Sequence, residues 1–85
     1  MRIAGYIEHP VCKITVFSWS EKYIVKVEVG LFEQAYKFRQ ADFASWEDLK
    51  PMFDADFMSN ILETFKKMSG DAVAAAKRMQ SGGKA

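Results

Sequence analysis

The sequence predicts an α+β fold: a three- or four-stranded antiparallel β-meander, then a short helix and a long C-terminal α-helix packed on one sheet face. Three observations carry that prediction. Apolar and polar residues alternate through the first forty positions, the period becomes helical near residue 42, and turn signals separate the alternating runs.

The clearest strand is Lys22 to Val29, with Tyr23, Val25, Val27 and Val29 on one side and Lys22, Ile24, Lys26 and Glu28 on the other. The run before it alternates Cys12, Ile14 and Val16 against Lys13, Thr15 and Phe17. A turn over Trp19 to Lys22 would set Phe17 opposite Ile24, Val16 opposite Val25, Thr15 opposite Lys26 and Lys13 opposite Glu28. Both faces are chemically consistent in that register. Gly30-Leu31 places glycine first, as a two-residue type II′ hairpin requires, which pairs Val29 with Phe32, Val25 with Tyr36 and Tyr23 with Phe38. The same register sets Glu28 opposite Glu33, a like-charge pair that a two-residue slip would remove. "RIAGYIE" supplies the candidate fourth strand, with Pro10 ending it or marking the break before Val11.

Beyond residue 40, Ser45 and Asp48 resemble a capping box, opening a short helix that Pro51 limits. Asp54 or Asp56 then caps a longer helix whose apolar stripe is Phe57, Met58, Ile61, Leu62, Phe65 and Met68. Glu63 and Lys67 stand in the favourable order for an i to i+4 pair on its outer face. "AVAAAKRMQ" has high helical propensity; either the helix runs on through Gly70, the favoured reading, or Asp71 caps a second helix. These elements make one domain over residues 1–80, with 81–85 as a flexible tail.

Composition narrows the function classes. Nearly half of the 85 residues are apolar and no apolar run reaches the roughly 20 needed to span a bilayer, which predicts a soluble globular chain. The start "MRIAGYIEHP" lacks the long apolar core of a secretory signal, and the single cysteine, Cys12, rules out an internal disulfide. Both fit a cytoplasmic location. The net charge of +1 is too small to act as a nucleic-acid signature by itself.

Catalytic, cofactor and metal assignments are all none. His9 and Cys12 are spaced as H-x-x-C, but two ligands do not close a tetrahedral site, and Cys12 falls on the buried phase of its strand. His9 before Pro10 reads as a turn residue. Asp42, Glu47, Asp48, Asp54 and Asp56 could hold Mg²⁺, yet each stands where helix starts favour acids. No glycine-rich phosphate loop and no nucleophile, base and oxyanion set is present, so the chain reads as a non-enzymatic module.

The informative surface is the sheet face turned away from the long helix. Phe17, Trp19 and Ile24 gather there, with Ala35 beside them and Lys22, Lys26, Lys37 and Arg39 around them. Three readings fit. Trp46 and the short helix, or the first strand, could fold over the patch as a second minor core. The patch could join two copies of the chain, with help from the alanine-rich helix end, or bind another protein. Or Phe17 and Trp19 could stack on single-stranded nucleic acid while Lys22, Lys26, Lys37 and Arg39 follow its phosphates.

Two resemblances bear on these readings. "YIEHPVCKITVFSWSEKYIVKVEVG" with "EQAYKF" resembles short bacterial proteins of unknown function built as a sheet followed by a helix, which implies that architecture over residues 6–38. The order of several antiparallel strands and then one helix is similar to the repeat of PUR-alpha-type single-strand nucleic-acid binders, which also dimerise. That likeness is architectural and transfers no residues.

Overall fold

A computed structural model describes residues 1–82. Four antiparallel strands, β1 (Arg2–Ile7), β2 (Lys13–Trp19), β3 (Lys22–Val29) and β4 (Phe32–Arg39), form one sheet in sequence order. Two 3₁₀ segments follow, Gln40–Asp42 and Trp46–Met52, and then the helix α1 (Ala55–Gly82). This is the α+β meander-plus-helix fold expected.

Both hairpin registers are those the alternation dictates. Phe17 pairs with Ile24 and Val16 with Val25, while Val29 pairs with Phe32 and Glu28 with Glu33. Gly30 holds φ at 57° and Leu31 does not share that positive value, the signature of a II′ turn. The β2–β3 turn is less ordinary, because both its central residues, Ser20 (φ 51°) and Glu21 (φ 63°), are left-handed without being glycine. Gln40 braces it: its backbone N–H donates to the Glu21 carbonyl at 3.0 Å, and its side-chain amide donates to Ser18 Oγ at 2.7 Å and to the Lys22 carbonyl at 3.0 Å.

β1 is a full strand, and it carries a bulge that alternation alone does not reveal. Ile3 pairs with Phe17 but Gly5 pairs with Val16, leaving Ala4 as an extra residue. The indole of Trp46 lies on the helix side of Gly5, so close that a Cβ there would clash with the ring carbons Cζ2 and Cη2. Glycine is therefore required by a close approach at this point.

The core lies between sheet and helix. Ile14, Val16, Val25 and Val27 meet Met58, Ile61 and Phe65 of α1, and Leu49 and Phe53 fill the flank. Gln34 is the buried polar exception: its amide donates to the Ile61 carbonyl at 2.9 Å and its oxygen accepts the Tyr36 hydroxyl at 2.6 Å, tying β4 to α1. Phe43, Phe53 and Phe57 join Tyr23, Tyr36 and Phe38 in an edge-to-face cluster at one end of this core.

The helical region departs from expectation in several details. Ser45 makes no side-chain cap, and Asp48 accepts instead from the Ala44 N–H at 3.1 Å. Pro51 lies inside Trp46–Met52, which is 3₁₀ rather than α. Asp54, not Asp56, caps α1, its Oδ1 accepting the Phe57 N–H at 2.9 Å. Glu63 pairs with Lys66 at 3.3 Å and Lys67 with Asp71 at 3.1 Å, in place of the Glu63–Lys67 pair. The helix runs through Gly70 to Gly82, so Ser81 and Gly82 are helical and residues 83–85 lie outside the described ones. Its 28 residues outreach strands of at most eight, and every residue from Gly70 to Ser81 is exposed. Among the described residues no helix is long and apolar enough to cross a membrane.

Candidate functional site

Directly paired residues of an antiparallel sheet share a face, so the registers list the open face row by row. One end carries Trp19, Lys22 and Arg39. The next row is Ile3, Phe17, Ile24 and Lys37, and the third is Tyr6, Thr15, Lys26 and Ala35. The far end carries Lys13, Glu28 and Glu33.

The β1 bulge enlarges this face. By absorbing one residue between Ile3 and Gly5, it turns both Ile3 and Tyr6 to the open side, where strict alternation would have set them on opposite sides. Ile3, Tyr6 and Trp19 are 53%, 55% and 54% exposed. Neither Ile3 nor Tyr6 stood among the residues singled out from sequence. The signal was the Gly5 inside an otherwise apolar strand, which marks a bulge or a close backbone approach.

Ile24 requires a correction. It was expected as an exposed member of the patch, yet it is only 5% exposed, and Thr15 is 3% exposed in the next row. Both form the floor of the patch, between larger neighbours on their own face. Phe17 is half-buried, with the Lys26 ammonium 5.2 Å from its ring centroid. Lys22, Lys37 and Arg39 are exposed, and Arg39 reaches back to Asp42 at 3.2 Å.

The internal-cover reading is overturned. Trp46 packs on the opposite side of the sheet, against Gly5 and the main core, with Lys50 Nζ 4.9 Å from its ring centroid. β1 is hydrogen-bonded into the sheet edge and cannot serve as a lid. A rival apolar surface is a groove between the β3–β4 turn and α1, where a wholly exposed Leu31 stands beside Val29, Phe32, Leu62 and Phe65.

His9 and Cys12 have structural roles. His9 Nδ1 accepts the backbone N–H groups of Val11 and Cys12 at 3.1 and 3.2 Å, which closes the β1–β2 connection. Burial pushes the Cys12 thiol above its ordinary range, and burial likewise raises the Tyr36 hydroxyl. Because the neutral thiol is favoured in the fold, its contribution to stability is complete below about pH 8.5 and is lost as pH rises through the raised folded value. The native chain is expected to react with a thiol reagent on the order of a hundredfold more slowly than the urea-unfolded chain at pH 8. Equal rates would show that Cys12 is not sequestered.

Comparison with protein-family models, curated proteins and solved structures returns no match to this chain.

Proposed function

We propose that the chain is a non-enzymatic interaction module that self-associates through the open sheet face. The observation that carries this reading is the exposure of Ile3, Tyr6 and Trp19 in one patch with Phe17, on a face that no other element covers among the described residues. Exposed apolar patches with an Arg and Lys rim are characteristic of interfaces.

A second copy is the occupant the charges favour. The face has cations at one end and two carboxylates at the other, so it complements itself but only partly complements a uniform polyanion. Single-stranded nucleic acid would have to pass over Glu28 and Glu33. Four strands about 4.8 Å apart, six to eight residues long at about 3.3 Å each, give a small footprint, which places the dimer at the weak end of specific interfaces, with a micromolar Kd.

Sedimentation equilibrium tests this directly. The chain is expected to reach a mass near twice that of the monomer at high micromolar concentration, and Ile3→Lys or Trp19→Lys is expected to weaken association at least tenfold. Both positions are more than half exposed, so folding is expected to survive. Leu31→Lys, in the rival groove, and Val73→Lys, on the overhanging helix, are expected to leave the mass unchanged. A monomer at every concentration refutes the reading, and so does a dimer that only the last two variants disrupt.

A further inference from the structure

Resting on that self-association, we infer that the two copies meet about a two-fold axis that lies between the sheets and runs across the strands, so that each strand is antiparallel to its own counterpart. The reason is the order of the rows. An axis across the strands keeps each strand's lateral position and reverses its direction, so the row of Trp19, Lys22 and Arg39 falls over the row of Lys13, Glu28 and Glu33 of the second copy. Lys22 then faces Glu28, Arg39 faces Glu33, and Trp19 faces the Lys13 ammonium.

The two middle rows also exchange, laying Ile3 over Tyr6 and Phe17 over Thr15. Symmetry makes every such contact twice. An axis parallel to the strands instead lays each row over itself with the strand order reversed, so Lys22 meets Trp19 and Glu28 meets Lys13, while Arg39 and Glu33 both fall over β1 and never meet. Aligned packing of two sheets tolerates a crossing near 30°, which keeps the central strands β2 and β3 in register.

Glu28 and Glu33 supply an independent reason. They are direct neighbours across β3 and β4, which is unfavourable within one chain. The ion pairs among the described residues are Arg39–Asp42, Lys66–Glu63 and Lys67–Asp71, and neither glutamate is among them. The second copy brings two cations to this pair. Arg39 can serve both Asp42 and Glu33, because its guanidinium has five donors and its side chain is 78% exposed.

The test is a charge exchange between Lys22 and Glu28, read by sedimentation and by native mass spectrometry of mixed, mass-labelled chains. Lys22→Glu alone sets glutamate against glutamate twice, and Glu28→Lys alone sets lysine against lysine twice. Each is expected to weaken its own homodimer on the order of tenfold. An equal mixture is expected to restore wild-type association as a heterodimer well above the statistical half, because both contacts then join opposite charges. Glu28→Lys exchanges its favourable pair with Lys13 and its clash with Glu33 for the reverse, so the monomer's melting temperature is expected to stay close to the parent's, and an unchanged melting temperature assigns weakened association to the interface. A wild-type dimer whose variants mix statistically overturns the axis and leaves the self-association reading standing. A wild-type monomer overturns both, and Trp19 quenching by oligothymidylate in that monomer would assign the face to single-stranded nucleic acid instead.

Discussion

Leu49→Ala is expected to lower the unfolding free energy by about 3 kcal/mol, the largest single loss foreseen for this chain. Leu49 is wholly buried, yet it sits on a 3₁₀ segment whose other side chains are exposed or half-buried. A segment of seven residues with poor 3₁₀ hydrogen-bond geometry has little intrinsic stability, so its docking rests on what it inserts into the core. Removing three carbons leaves a void in the core that a tethered segment cannot easily collapse into. Urea denaturation would show the midpoint falling with the slope unchanged. A loss below about 1 kcal/mol would mean that Leu49 is not clamped in the core.

The contrast with the strands shows what was legible in the sequence. Both hairpin registers followed from alternation, because the valines of β3 can face only one way once Gly30 sets a II′ turn. Even the uncomfortable Glu28–Glu33 pair held, since a slip of two residues would have given up the II′ turn at Gly30. The overhang of α1 was legible in part: propensity carries the helix through Gly70, but nothing local says where the sheet beneath it ends.

Other features were hidden because they depend on contacts distant in sequence. Gln34 stands at a core-facing position among apolar neighbours, and only the Ile61 carbonyl, on another element, makes its burial tolerable. The aromatic residues of "ADFASWEDLKPMF" follow neither period, so their partners could not be read from spacing. Trp46 is the case with functional weight. Set on the wrong side of the sheet, it would have closed the open face, and its true place against Gly5 leaves that face bare. Ile24 was assigned to the correct face, but its burial by same-face neighbours is a matter of side-chain size that alternation does not report.

The Gly5–Trp46 contact yields the second large expected effect. Gly5→Ala should cost about 2 kcal/mol, even though alanine is the better strand residue, because its methyl group would occupy the space of the indole. Either β1 or Trp46 must give way. β1 is held by registered pairing with β2 along its length, whereas Trp46 hangs from the 3₁₀ segment, so the indole is the part that moves. In a Trp46→Ala background the same substitution should then be neutral or slightly stabilising, a coupling of about 2 kcal/mol in a double-mutant cycle. Additive losses would show that the two residues do not meet. Because the bulge survives, Ile3 and Tyr6 stay on the open side. Gly5→Ala is therefore expected to lower stability while leaving the self-association constant within about twofold of the parent's, measured well below the melting temperature. Ile3→Lys, two residues away and on the other face, is expected to do the opposite. That reversal between near neighbours on a single strand follows only if β1 presents one face to Trp46 and the other to a second copy.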